Sequence, residues 1–390
     1  MILKPGGSGM EILAALAGTT LIAVILLEGF EIIILPRRVT RRFRFSRHFF
    51  TFLWHAWKII VSAFAPTKFR ETWLSFYGPL FIIVMLSVWV LGLILGFAML
   101  YWGTGSSLRA ADGSTGFIND LYLSGTTFFT LGLGDVVPST TVARILTVTE
   151  AGLGFGFLAL IISYIPALNQ SFSRREVNIS LLDARAGSPP SAAEMLHRHY
   201  SKHGTYALRQ LLEEWERWSA EFLEDHLSYP VLAYFRSQHD NQSWLSALTA
   251  ILDTCALVMV GPEGACKRQA ELTFAMARHA MVDLCLVFVQ QPSKPTHDRL
   301  PQDKLAELRA NLKAVGLKLQ DGEPARQRLL ELRMMYEPYA NALASYFMIT
   351  LPPWLPTRTR RDNWQVIVWD EDDEHGHRNT QGEHEESEHF

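Results

Sequence analysis

TTFFTLGLGDVVP, residues 126–138, stands between two long apolar runs. Two glycines alternate with leucines, and an aspartate and a proline follow, so this backbone is built for neither a helix nor a regular strand. The flanking runs, 74–101 and 144–168, are each long enough for a helix to cross a bilayer, which needs about 20 predominantly apolar residues. Irregular backbone between such spans is tolerated only where protein buries it or where it lines a water-filled path. The stretch therefore predicts an α-helical membrane protein with a re-entrant loop.

Working outward, a third apolar run at 12–35 is too long for the core of a signal peptide, and arginines follow it rather than a cleavage site, so it reads as a retained span. The chain has 390 residues, of which 48% are hydrophobic and 12% aromatic, and the apolar ones crowd into the first 170 positions. PRRVTRRFRFSRH, at 36–48, places Arg37, Arg38, Arg41, Arg42, Arg44 and Arg47 beside the end of the first span. By the positive-inside rule that side is cytoplasmic, as are Lys58, Lys68 and Arg70 before the second span and Arg174 and Arg175 after the third. The N-terminus is then expected outside and everything after 170 inside, in a plasma or inner membrane. Residues 49–66, FFTFLWHAWKIIVSAFAP, read as a helix in the headgroup region with Trp54 and Trp57 at the interface; a fourth span is the rival reading. Arg38, Arg41, Arg44 and Arg47 recur every third residue, but a voltage sensor needs several spans before the pore, so contact with anionic lipid is the expectation. The expected organisation is an extra N-terminal span at 1–36, a basic and interfacial segment at 37–73, a pore domain at 74–168, a linker at 169–193, an all-α cytoplasmic domain at 194–360 and an acidic tail at 361–390.

Residues 118–129 can form a short helix whose C-terminal end, partially negative, points toward the loop that follows. In Thr130-Leu131-Gly132-Leu133-Gly134 the glycines permit positive φ, so successive carbonyls can face one axis and replace the water shell of a cation. With Asp135 the run is TLGLGD, and here the sequence resembles the pore of potassium channels, whose filter is usually T-x-G-[YF]-G-D. The resemblance covers roughly 74–168. It implies that Thr130, Leu131, Gly132 and Leu133 supply carbonyls to K+, the permeant ligand, that the Thr130 hydroxyl adds the innermost site, and that Gly134 makes the outer turn. It places Asp135 behind the filter with Tyr122 as candidate hydrogen-bond partner, and the D-x-x-P order from Asp135 to Pro138 also matches. Leu133 departs from the usual Tyr or Phe and Phe129 from the usual Thr; leucine does occur at the former position in some two-pore-domain channel repeats. One loop supplies a quarter of the carbonyl ring, so a homotetramer is implied.

The third span, with Gly152, Gly154 and Gly156, carries further candidates. Gly154 aligns with a gating-hinge glycine of the family, and close packing is the equal alternative; for the other two, packing is expected. G-L-G-F-G lies in an apolar helix and follows no strand, so it is not a nucleotide loop. Pro166 reads as the end of the helix or, failing that, a kink. Glu150 falls inside the span, where it either supports the filter from behind or titrates, or is a structural hydrogen-bonded glutamate. Glu28 and Glu31 are expected to pair with the nearby arginines.

Beyond 183–193, DARAGSPPSAA, helical spacing recurs at 192–219, 244–260, 264–290, 304–319 and 325–348. No dinucleotide-binding fingerprint, phosphate loop or Ser/His/Asp order accompanies it, so neither an enzyme nor a cofactor is expected, and no basic stripe with aromatics points to nucleic acid. Cys255, Cys266 and Cys285 form no Cys-x-x-Cys pair and read as free thiols. His197, His199 and His203, and His279 with Asp283, have spacings a metal could use, but ordinary hydrogen bonding is the expectation, leaving no metal beyond K+ in the filter. The end of the chain, 370–390, is acidic and reads as solvated, and 364–369 reads as a short strand or a docking peptide. The leading reading is a potassium-selective channel with a helical cytoplasmic module. The alternatives are a weakly selective cation channel, and a membrane-tethered helical sensor or enzyme with a vestigial pore.

Overall fold

The structure is a computed structural model, and it describes residues 9–34, 45–66, 69–105, 108–110, 116–199, 206–238, 241–261, 265–289, 291–293, 297–314 and 316–356. The arginines from Arg37 to Arg44, Lys68, His203, the peptide at 364–369 and the acidic tail lie outside the described residues. Two compact units emerge: 1–173 with 224–236, and 174–223 with 237–390.

Among the described residues, three helices are long and apolar enough to cross a membrane, and all three begin in the first unit. Helix α1 (Gly9–Gly29) continues into a π-helical turn, Phe30–Ile34. Helix α2 (Phe45–Phe64) is not among the three. A short α3 (Arg70–Ser75) leads into the outer helix α4 (Tyr77–Gly103). Then come a strand β1 (Leu108–Ala110), the re-entrant helix α5 (Phe117–Phe128), a strand β2 (Val136–Pro138) and the inner helix α6 (Thr141–Ala186). Strands β1 and β2 pair antiparallel, with Arg109 opposite Val137.

Helix α1 packs along α4. Small residues make that approach possible: a Cβ added to Gly18 would sit 2.6 Å from the Gly96 carbonyl oxygen, and one on Gly103 would sit 2.5 Å from the Glu11 carbonyl oxygen. Gly92 and Gly96 are spaced four apart on α4, the small-xxx-small pattern that lets membrane helices meet at their backbones. Glu28 and Glu31 are buried, at the C-terminal end of α1 and in the π-turn.

An aromatic cluster ties α2 to the first turns of α4. Tyr234, in the 3-10 turn Pro230–Tyr234, stacks on Phe50 and meets Trp54 edge-on at a centroid distance of 5.2 Å. Trp54 also meets Tyr77 edge-on, and Trp57 Nε1 donates to the Trp73 carbonyl at 3.1 Å. Trp54 is only 1% exposed, so it is a core residue of this unit and not an interfacial anchor as expected. The rings of Tyr234 and Tyr77 lie against it; Phe235 in turn fits the space left by Gly78, where a Cβ would sit 2.6 Å from the Phe235 ring. Elsewhere on α2, Phe52, Ile59 and Phe64 stay exposed.

Two expectations change in α6. Pro166 lies inside the helix, which neither ends there nor gives way to the expected linker, but continues to Ala186. A proline removes one backbone donor, here the one that would reach the Ile162 carbonyl, and the turns on either side retain theirs. Only the Gly187–Ser191 stretch separates α6 from α7 (Ala192–His199).

The second unit is all-α among the described residues, and is built from α7, most of α8 (Tyr206–Ser228), α9 (Trp244–Val260), α10 (Ala265–Phe288), α11 (Gln302–Ala314), α12 (Glu323–Met334) and α13 (Glu337–Phe347). Helix α9 is buried on every face, with α7, α10, α12 and α13 around it. Trp215, Trp218, Phe222, Trp244 and Phe347 continue the core, and the three cysteines are buried and form no disulfide. Asp253, midway along α9, is fully buried and held by both Arg299 nitrogens at 2.6 and 3.2 Å and by the Tyr336 hydroxyl. Arg299 also reaches Glu337 at 3.1 Å, which Arg333 approaches from the other side, while both guanidinium groups lie over the Trp354 ring. Burial pushes the Glu337 carboxyl above the usual carboxylate range despite these two arginines.

Candidate functional site

The loop at 130–135 begins where α5 ends. Thr130 N donates to the Thr127 carbonyl at 3.0 Å and Leu131 N to the Thr126 carbonyl at 2.8 Å, so the last turn of α5 holds the start of the loop. From there the backbone takes left-handed φ at every second residue: +58° at Thr130, +55° at Gly132 and +80° at Gly134. In a regular strand successive carbonyls face opposite sides. A left-handed residue at every second position is the alternation by which a backbone can turn successive carbonyls to one side. Glycine takes this conformation freely, but Thr130 does not, and a non-glycine held there signals a conformation that its surroundings impose.

The far end of the loop is held from the same helix. Tyr122 OH donates to Asp135 Oδ2 at 2.8 Å, the pairing expected from the sequence. Beyond Asp135 the chain enters β2, and its pairing with β1 anchors the outer end. Thus α5 grips the loop at its start through Thr126 and Thr127 and at its finish through Tyr122. The side chains of Phe129, Leu131 and Leu133 are 59%, 62% and 66% exposed in the single chain, an apolar surface that water does not favour.

Behind α5 lies a buried polar node that sequence reading found only in part. Glu150 of α6 is fully buried. Its Oε2 accepts from Tyr101 OH of α4 at 2.8 Å, and its Oε1 contacts Ser124 Oγ of α5. Ser124 Oγ also donates to the Ile94 carbonyl of α4 at 2.7 Å, and Tyr101 OH lies 3.1 Å from Thr147 Oγ1. The carboxyl was legible because it interrupts an apolar span. Its partners were not, because Tyr101 and Ser124 lie 49 and 26 residues away and each is ordinary in its own segment.

Gly154 sits one turn further along α6, against the C-terminal end of α5. A Cβ added there would run into the Phe128 carbonyl oxygen, whereas at Gly152 and Gly156 it would meet nothing within 4 Å. Close approach therefore accounts for Gly154 alone of the three. His279 Nε2 lies 3.6 Å from Asp283 Oδ2, an i, i+4 pair, and among the described residues no group of three or more metal-capable side chains exists.

A re-entrant helix and a loop of alternating handedness, set between an outer and an inner membrane-spanning helix, define the class: a pore-loop membrane protein. Residues 82–170, which run from within α4 through α5 and the loop into α6, match the family model described as Ion channel, and the match supports an ion channel. The chain is also 24% identical over 186 residues to the "Uncharacterized membrane protein YdjJ" of Bacillus subtilis (strain 168), an alignment covering 46% of this chain and 52% of that protein. The chain thus spans about half the length of the curated relative it matches. No solved structure matches it.

Proposed function

We propose that the chain is one subunit of a homotetrameric, potassium-selective channel in which Thr130, Leu131, Gly132 and Leu133 line the path with carbonyls and Gly134 turns the chain outward. The observation that carries this reading is the left-handed backbone at Thr130, Gly132 and Gly134, gripped at both ends by one helix. Desolvated K+ needs oxygen ligands on every side, and four chains around an axis complete the ring that one chain begins. Three further copies would also cover Phe129, Leu131 and Leu133, which a lone chain leaves bare. Asp135, Tyr122 and Glu150 are the supporting residues, and Gly154 is where the inner helix meets the pore helix. The N-terminus lies outside and the helical second unit in the cytoplasm, where it regulates opening or assembly; the arginines from Arg37 to Arg47 lie against anionic headgroups.

The test is the reversal potential of the purified protein in a planar bilayer with K+ on one side and Na+ on the other. A value near the potassium equilibrium potential, lost in Gly132→Ala, is expected, since an L-residue in the left-handed region costs about 1–2 kcal/mol per chain and four chains carry it. A reversal near zero favours the second reading, a weakly selective cation channel. The observation behind that reading is Leu133, which has no hydroxyl with which to tie the middle of the filter to α5.

A further inference from the structure

The contacts around Glu150 do not balance if it is a carboxylate. Ser124 Oγ lies 2.7 Å from the Ile94 carbonyl and touches Glu150 Oε1, yet a serine has one proton and a carbonyl has none to give. At the other carboxyl oxygen, Tyr101 OH faces Glu150 Oε2 at 2.8 Å and Thr147 Oγ1 at 3.1 Å. The Thr147 proton is already engaged, donated to the Ala143 carbonyl at 2.8 Å. Three hydroxyl protons therefore serve five contacts. A proton on Glu150 Oε1 resolves the count: Glu150 donates to Ser124, Ser124 to Ile94, Tyr101 to Glu150 and Thr147 to Ala143. Only the longest approach, Tyr101 to Thr147, is left without a proton of its own.

The charges nearby point the same way. Among the described residues no lysine, arginine or histidine pairs with Glu150. The titratable side chains that face the node are Tyr101 on α4 and, acting on Tyr101 through its charge, Asp120 on α5. A buried carboxylate here would have no counter-ion and a second acid nearby.

We infer that Glu150 is held as the neutral acid and that its proton is the link by which the inner helix fixes the pore helix, so that losing this proton loosens the filter. The inference rests on the channel reading. Helix α5 transmits the effect because Ser124 lies between Tyr122, which holds the exit of the filter, and Thr126 and Thr127, which hold its entry. Glu150 is thus a positioning residue, and extracellular or intracellular alkalinity acts on selectivity through it.

The experiment pairs infrared difference spectra of the full-length protein in lipid vesicles with K+ and Na+ flux in the same vesicles, across a range of pH. Expected is the C=O stretch of a protonated carboxyl in the wild type that Glu150→Gln lacks. Tyr101→Phe, which deprives that carbonyl of its donor, keeps the band and moves it to higher frequency. As pH rises and the band disappears, the K+ over Na+ flux ratio falls about tenfold, the scale of one buried hydrogen bond. Glu150→Gln, whose amide donates to Ser124 and accepts from Tyr101, shows no pH dependence of the ratio. Absence of the band at neutral pH overturns the neutral acid. A flux ratio that stays constant while the band titrates, or a band and ratio that both persist to the alkaline limit, overturns the switch. If neither the wild type nor any variant passes K+ or Na+, the channel reading has failed, and the infrared band still decides where the proton lies.

Discussion

Gly154 carries no side chain because the Phe128 carbonyl oxygen occupies the place one would take. That oxygen belongs to the last turn of the pore helix and cannot swing aside like the tip of a flexible side chain. Gly154→Ala is therefore expected to push α5 off α6, at a cost of about 1–3 kcal/mol per chain, the usual scale of overpacking. If the chain is the channel subunit proposed above, selectivity for K+ in a flux assay should fall before assembly is lost. Gly152→Ala meets open space in the single chain and should change stability by less than about 0.5 kcal/mol. If both variants behave alike, the close approach is not what sets the filter. TLGLGD was legible because its two glycines answer a local backbone demand and the run as a whole resembles the filter of potassium channels. The role of Gly154 was only half legible, since a glycine in a membrane helix reads equally as hinge or packing surface until its neighbour is known.

The association of α1 with α4 is an interaction between whole helices. Both are apolar all round, so lipid solvates them as well as they solvate each other, and close backbone contact has to supply the preference. Gly18→Val would put its Cβ 2.6 Å from the Gly96 carbonyl oxygen, with two methyls beyond, and it should separate the two helices over that turn. Cysteine pairs introduced into α1 and α4 should crosslink in the parent and not in the Gly18→Val protein. Crosslinking that survives would place the contact elsewhere along the helices. This pairing was not legible beyond the presence of a span at 12–35, because glycines are frequent in membrane helices and their facing depends on a partner far away in sequence. The same holds for the cluster of Phe50, Trp54, Tyr77 and Tyr234, whose last member comes from a segment far along the chain from the other three.

The chain as a whole divides its polar groups differently in its two units. In the first, Glu150 and Ser124 form a buried node with Tyr101 between α4, α5 and α6. In the second, they form the ion network of Asp253, Asp298, Arg299, Arg333 and Glu337, which joins α9, α12, α13 and the segment at 352–354. Asp253→Ala leaves Arg299 and Tyr336 buried without their principal partner, and breaking such a pair costs about 3–5 kcal/mol. The melting temperature of the full-length protein should fall by roughly 10 °C, with the unfolding of the helical unit resolved by tryptophan fluorescence. An unchanged transition would mean that packing around α9 alone sets the stability of this unit. The helices at 244–260 and 265–288 were readable from their periodicity. The network was not, because its charged residues come from four separate segments of the chain and each looks like a surface charge where it stands.

Local backbone demand and hydropathy were enough to place three apolar spans, a short helix and a filter-like loop between two of them, and an all-helical remainder, because each of these follows from residues close together in the chain, while the Tyr122 to Asp135 bond was expected from the resemblance to potassium channels. The fold alone supplied the rest: a helix that passes through Pro166, glycines that admit one backbone against another, a tryptophan drawn from the interface into a core, and Ser124 and Tyr101 brought to Glu150. Each of these depends on groups that meet only when distant segments pack, and no periodicity or composition records which will meet.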